Sequence, residues 1–148
     1  MVYDLFAYGK MIADTVRMEA YESALRKLIG PDKVVLDIGT GTGIMALLAC
    51  HCGAKKVYAV EPGEAVHLAK EIAAANGWSD NIDFYQKRST DLVLPEPADI
   101  IVSDLRGVLP IFQHHLPSII DARDRLLTDT GILTPQRDNL YICLLYTS

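Results

Sequence analysis

The chain has 148 residues, of which 50% are apolar, and a formal net charge of −5. This length and apolar content suit one globular domain with a real core and are too small for two domains. The acidic balance gives no general positive field to hold a phosphate backbone, so we expect no nucleic-acid partner. The first residues lack a secretory signal, and no segment approaches about 18 consecutive apolar residues, so we expect a cytoplasmic protein that does not span a membrane.

Helix and strand patterns alternate along the chain. Apolar residues spaced three and four apart predict a first helix over 11–28, which Gly30 and Pro31 end. A valine-rich run over 33–38 stops at a glycine and has the pattern of a buried strand. The later predicted elements are a helix over 43–52, a strand over 55–60, a helix over 63–76, strands over 81–86 and 99–103, a helix over 110–127, and strands over 131–134 and 139–146.

This alternation predicts an α/β fold, namely a Rossmann-like, doubly wound and mainly parallel sheet with helices on both faces. In such sheets, ligands bind beyond the carboxyl ends of the strands, next to the first strand. The sequence therefore directs attention to the residues that follow each strand.

A glycine-rich turn follows the first predicted strand. Asp37 precedes Gly39, Gly41 and Gly43, and the second predicted strand ends in Glu61. Glycines let the backbone approach a ligand closely, and an acid at the end of the second strand can hold both ribose hydroxyls. The alternatives are an ordinary strand-to-helix turn and, for Glu61, a solvated surface acid.

Two residues distinguish the nucleotide ligands that such a turn could bind. A dinucleotide fingerprint needs glycine or alanine at position 44, where this chain has Ile44. A carboxylate at Asp37 would repel a diphosphate, yet it suits a ligand that carries an ammonium and a sulfonium. These residues favour S-adenosylmethionine over a nicotinamide cofactor.

Cys50, His51 and Cys52 could be mistaken for a metal site. Neighbouring residues on a helix point to different sides and do not converge on one ion, so we predict no metal there. The three cysteines have no C-x-x-C spacing, which is typical of a reducing compartment.

Beyond these motifs, the chain resembles the protein arginine methyltransferases from Tyr3 to Tyr141. Asp14, Arg17 and Tyr21 match that family's D-x-x-R-x-x-x-Y pattern. The family's order and spacing are also followed by the runs VVLDIGTGTGI, GAKKVYAVE, LPEPADIIVSD, LPSIIDARDRLL and GILTPQRDNLY. The resemblance implies a class I S-adenosyl-L-methionine-dependent methyltransferase that acts on a protein side chain or a small-molecule acceptor.

The resemblance also implies which residues bind the cofactor. Arg17 would bind the carboxylate of its methionine part through a forked pair of hydrogen bonds, the alternative being an ion pair with Asp14. The other implied cofactor-binding residues lie near the methionine part (Asp37 and Gly39), in the turn (Gly41 and Gly43), at the ribose (Glu61) and beside the adenine (Ser89 and Thr90).

On the acceptor side, the sequence departs from the family. Arginine methyltransferases use two glutamates after the fourth strand, but this chain has Asp104 and Gln113 at those places, and Arg106 adds a positive charge. Asp104 is the candidate that orients or deprotonates the acceptor, with Gln113 and Arg106 as further candidate catalytic residues. The alternative for Arg106 is a structural ion pair with Asp104 or another carboxylate.

The resemblance implies two parts. Residues 1–30 would form a helical segment that covers the cofactor site, and residues 31–148 the S-adenosylmethionine-binding domain. We expect the full-length protein to continue into a C-terminal barrel domain and to form a homodimer. The alternatives are a cofactor-binding fold without catalysis and a nicotinamide-dependent oxidoreductase.

Overall fold

The computed structural model describes residues 5–105, 111 and 114–144. In that part of the chain five parallel strands form one sheet in the order β3-β2-β1-β4-β5. The strands are β1 (Val34–Ile38), β2 (Lys56–Val60), β3 (Ile82–Tyr85), β4 (Ala98–Ser103) and β5 (Leu127–Thr134). The helices are α1 (Leu5–Ala13), α2 (Thr15–Leu28), α3 (Ile44–His51), α4 (Ala65–Ala75) and α5 (His115–Leu126), with a short 3₁₀ turn at Ser89–Asp91.

The central strand β1 is buried along its whole length because helices cover both faces of the sheet. Successive side chains of a strand point to opposite faces, so Val35 packs into a cluster with Leu25 of α2 and residues of α3 and α4. Leu36 packs into the opposite cluster with Leu126 of α5. Full burial of each such side chain contributes about 1.5–3 kcal/mol, and it fixes the sheet whose carboxyl ends carry the site. The predicted fold class is confirmed.

The predicted helix over 11–28 is in fact two helices, which meet at Asp14. Asp14 has extended backbone geometry, and its carboxylate accepts a hydrogen bond of 3.1 Å from the Arg17 backbone N–H. This is the N-cap geometry that satisfies an otherwise unpaired donor in the first turn of a helix. Apolar spacing continues across the break, so periodicity alone predicted one helix.

The last part of the chain also differs from the prediction. Strand β5 begins at Leu127, although the sequence predicted helix up to 127 and a strand only from 131. The polar run Thr128–Thr130 has the composition of a turn, but the strand extends through it, with a register irregularity opposite Ala98 and Ile100. The strand predicted over 139–146 is wrong over 139–144, which has no regular structure.

No helix in the part of the chain that the structure describes is both long and apolar enough to cross a membrane. Across those same residues, no three metal-ligating side chains come together.

Candidate functional site

The turn after β1 lies at the carboxyl edge of the sheet, in the middle of the strand order. Its three glycines have positive φ angles of 74°, 54° and 88° at Gly39, Gly41 and Gly43. The N–H groups of Gly39 and Thr40 donate to the Val60 carbonyl at 2.8 and 3.1 Å. These bonds hold the turn against the end of β2, which Glu61 directly follows.

Two of these glycines allow other side chains to lie directly on the turn. A Cβ at Gly39 would collide with the Leu105 side chain, and a Cβ at Gly41 would collide with the Tyr8 ring. Sequence reasoning singled out neither Leu105 nor Tyr8, because no spacing rule relates either residue to the glycines. Only glycine permits both the positive φ and this close approach.

Glu61 joins this turn to the turn after β2. Its carboxylate accepts hydrogen bonds from the Gly41 N–H at 3.1 Å and from the Gly63 N–H at 2.8 Å. The Glu61 backbone N–H donates to the Tyr85 carbonyl at the end of β3. Glu61 is therefore a fixed, half-buried acid that faces the glycine turn, and the alternative of a solvated surface acid is wrong.

Asp37 is fully buried at the end of β1, with 1% of its surface exposed. Burial raises the pKa of its carboxyl to about 7, although the hydrogen bonds from the Thr40 hydroxyl and the Ala46 backbone N–H act in the opposite direction. The Thr40 bond measures 2.5 Å. The nearby Glu61 carboxylate also raises the pKa of Asp37. The site thus holds two acids, and Asp37 ionises near neutral pH.

Arg17 and Asp104 form an ion pair between α2 and the residue that follows β4. The two side chains are 30% and 23% exposed, and the Arg17 guanidinium lies 6.0 Å from the Tyr21 ring centre. The expected alternative, a side-chain ion pair of Arg17 with Asp14, is not the arrangement found. The structure therefore brings a cofactor-side candidate into direct contact with an acceptor-side candidate.

Ser89 and Thr90 lie in the 3₁₀ turn, which begins four residues after β3 ends at Tyr85. Ser89 is buried and Thr90 is exposed. The guanidinium of Arg125, on α5, donates hydrogen bonds to the carbonyls of both residues. Sequence reasoning missed Arg125, which looks in sequence like any charged residue on a helix.

Arg106 and Gln113 lie outside the described residues, so Asp104 is the acceptor-side candidate whose surroundings are known. A surface groove of about 460 Å³ lies elsewhere, lined by Lys70 of α4 and by Asp83 and Tyr85 of β3. None of the candidate site residues lines that groove, and its charged lining side chains are not buried. The chemistry is concentrated instead at the carboxyl edge of the sheet.

A protein-family model matches most of the chain. The model of the family described as ribosomal protein L11 methyltransferase (PrmA) matches residues 15–142.

Curated relatives cover nearly the whole chain as well. The chain is 37% identical over 138 residues to protein arginine N-methyltransferase 1.1 of Arabidopsis thaliana, covering 91% of this chain and 35% of that protein. It is 39% identical over 140 residues to protein arginine N-methyltransferase PRMT10 of Oryza sativa subsp. japonica, covering 93% of this chain and 37% of that protein. The chain thus spans about a third of the length of these relatives.

Solved structures share the fold. Arabidopsis thaliana protein arginine methyltransferase 10, in an open conformation, superposes with a TM-score of 0.81 at 36% identity, covering 89% of this chain and 38% of that one. The Trypanosoma brucei PRMT1 enzyme-prozyme heterotetrameric complex with AdoHcy superposes with a TM-score of 0.79 at 33% identity, covering 85% of this chain and 40% of that one.

Proposed function

We propose that this chain, which belongs to the PrmA methyltransferase family and is a protein arginine methyltransferase-like domain, binds S-adenosylmethionine and directs methyl transfer to an acceptor beside Asp104. The observation that carries the proposal is the position of Glu61. Its carboxylate spans the glycine turn and the turn after β2, at the point where a doubly wound sheet binds the ribose of a nucleotide.

The residues at this edge fit the chemistry of S-adenosylmethionine. A carboxylate can accept about four hydrogen bonds. The Glu61 carboxylate accepts two from backbone N–H groups, so it can accept further bonds from ribose hydroxyls. Glu61, together with Asp37 in its ionised form, favours a cation over a diphosphate. Tyr8 and Leu105 lie in front of Gly41 and Gly39, so a ligand that reaches the turn requires these side chains to move aside.

When bound, S-adenosylmethionine supplies a methyl group that its sulfonium has already activated, so the chain mainly binds and orients the reactants. Arg17 offers a planar pair of N–H donors for the methionine carboxylate. Asp104 orients the acceptor nucleophile and accepts its proton. In the structure these two side chains bind each other, so a ligand carboxylate on Arg17 competes with Asp104 for the guanidinium.

The same ion pair makes the N-terminal segment part of the site. We propose that residues 1–30 cover the cofactor, an assignment that the contacts of Tyr8 with Gly41 and of Arg17 with Asp104 support. We further propose that the acceptor is a protein side chain or a small molecule and that the full-length protein is a homodimer. The named relatives support a protein acceptor, and the heterotetrameric neighbour supports assembly in this group of enzymes.

Calorimetric titration with S-adenosylmethionine and, separately, with NADH tests the cofactor. We expect S-adenosylmethionine alone to bind, and Glu61→Gln to weaken binding by about tenfold, the loss expected for one strong charged hydrogen-bond site. Glu64→Gln is the matched control, since Glu64 is an acid in the same loop whose side chain is 85% exposed and pairs with His67. It should leave the affinity unchanged.

The result that contradicts the proposal is a folded chain that fails to bind S-adenosylmethionine or binds NADH instead. Catalysis is tested separately on the full-length protein with peptide and small-molecule acceptors. Tight cofactor binding without transfer to any of them would favour the second candidate, a cofactor-binding fold without catalysis. The ion pair of Arg17 with Asp104 supports that candidate, because it occupies the carboxylate that would act on the acceptor.

A further inference from the structure

Arg125 makes a concentrated set of hydrogen bonds to one short piece of backbone. Its guanidinium donates to the carbonyls of Leu92 at 3.0 Å, Ser89 at 3.1 Å and Thr90 at 3.2 Å. Asp121, one helical turn earlier on α5, binds the same guanidinium through both carboxylate oxygens at 2.8 and 2.7 Å. Arg125 is thereby fixed on its helix while it holds the 3₁₀ turn.

The 3₁₀ turn needs such a partner because it is only three residues long. Its internal bonds run from the Asp91 N–H to the Arg88 carbonyl and from the Leu92 N–H to the Ser89 carbonyl. The Ser89 carbonyl thus has one donor within the turn, whereas the Thr90 and Leu92 carbonyls lie at its end, where carbonyls lack donors within the helix and a cation is favoured. A guanidinium can serve several carbonyls at once because its five N–H donors lie in a fixed plane.

The position of this turn gives the contacts a functional meaning. The sheet order places β1 with its glycine turn, then β2 with Glu61, then β3 with the 3₁₀ turn. A nucleoside whose ribose lies at Glu61 must direct its base away from the glycine turn, towards the residues that follow β3. Ser89 and Thr90 are the first residues of the turn at that end.

We infer that Arg125 is a positioning residue for the nucleoside base: it holds the backbone of Ser89 and Thr90 in place from the α5 side and does not touch the ligand. This inference rests on the proposed binding of S-adenosylmethionine. It assigns a role in cofactor recognition to α5, a helix that carries none of the residues expected to contact the cofactor.

Variants of Arg125 test the inference in titrations with S-adenosylhomocysteine. Arg125→Gln removes the charge and the fork, whereas Arg125→Lys keeps the charge but lacks the planar five-donor fork that binds the three carbonyls and Asp121 together. Arg123→Gln is the matched control, because Arg123 is an exposed arginine on the same helix that pairs with its neighbour Asp124. Hydrogen exchange at the Asp91 and Leu92 amides is measured in parallel.

If Arg125 positions the base, Arg125→Gln raises the Kd about tenfold at unchanged binding stoichiometry, and its Asp91 and Leu92 amides exchange faster. Arg125→Lys should show a smaller loss, and Arg123→Gln should behave like the wild type. A purely structural role would instead lower the fraction of chains that bind, without changing their Kd. The inference is overturned if folded Arg125→Gln binds with wild-type Kd, or if Arg123→Gln loses as much affinity.

Two further outcomes are distinguishable. If the wild type itself fails to bind, the proposed cofactor is wrong and the inference falls with it. If Arg125→Gln does not fold, Arg125→Lys and Asp121→Asn carry the test, because Asp121→Asn leaves the carbonyl contacts in place but loosens the guanidinium. Wild-type affinity in both of these variants would then overturn the inference.

Discussion

Asp37 shows how one buried residue can link the site to pH. Its carboxyl is surrounded by the core at the end of β1, and burial raises its pKa to about 7. The Thr40 hydroxyl and the Ala46 N–H donate to it and favour the ionised form, which offsets part of the effect of burial. A cation bound nearby would favour the charged form.

The contribution of Asp37 to the stability of the free protein is therefore expected to fall as pH rises from about 4 to about 7. An aspartate in the unfolded chain titrates near 3.9, so the folded state holds this proton more tightly. Its contribution is fully present below about pH 4 and is lost as pH rises through the folded pKa. Urea unfolding across this range measures the effect, and Asp37→Asn, which cannot ionise, should lack it. If the free energy of unfolding of the wild type and of Asp37→Asn changes with pH in the same way, Asp37 does not titrate in this pH range.

The ion pair of Arg17 with Asp104 leads to a prediction for both methyl transfer and cofactor affinity. Asp104→Asn should abolish methyl transfer by the full-length protein, because an amide accepts no proton. It should also tighten S-adenosylmethionine binding by about two- to fivefold, because Arg17 no longer has a competing carboxylate. Calorimetry and a transfer assay measure the two effects.

Asp14→Asn is the control for this prediction. It removes a negative charge close to Arg17 in sequence but leaves the ion pair intact, and asparagine still caps α2. The variant should change neither quantity. Equal gains in affinity for both variants would mean that general electrostatics, and not release of Arg17, explains the result.

At the scale of elements, the break at Asp14 positions Arg17 at the start of α2. Replacing the cap by alanine should destabilise the folded state by about 0.5–2 kcal/mol, the usual cost of losing a side-chain N-cap. Urea unfolding of Asp14→Ala and Asp14→Asn separates the cap from the charge. A loss of similar size in the asparagine variant would show that the cap hydrogen bond is not the source of the stability.

Elements defined by short-range patterns were predictable from the sequence. The burial of β1 and the glycine turn after it follow from a valine-rich run and three glycines within ten residues. The start of β5 was not predictable, because Leu127 joins the sheet opposite Ala98 while the polar residues after it have the composition of a turn.

The same distinction applies to the site. Glu61 could be identified from its place at the end of the second strand, and the structure shows its carboxylate on the Gly41 N–H. The contacts of Arg125 could not be identified from the sequence, because Arg125 and Ser89 lie 36 residues apart. Such pairs depend on how helices dock on the sheet, and a charged helix residue gives no local signal of its partner.

At the scale of the whole molecule, the segment after β5 presents an unusual surface. Leu140, Tyr141, Ile142 and Leu144 are each at least 60% exposed, in a stretch without regular structure. Contiguous exposed apolar side chains promote association. We expect this chain to self-associate at high concentration, and the double substitution Ile142→Glu and Leu144→Glu to keep it monomeric. Light scattering after size-exclusion chromatography measures this, and wild-type protein that stays monomeric throughout would contradict the expectation.

The central place of β1 in the sheet also affects how the chain is made. The Val34 N–H is bonded to the Asp99 side chain, 65 residues later, and β1 gains its second neighbour only when β4 is present. At about 5–20 residues per second, a ribosome needs several seconds to produce that stretch. During this time one edge of the most apolar strand has no partner, which makes nascent β1 the point at which misfolding or capture by a chaperone is most expected.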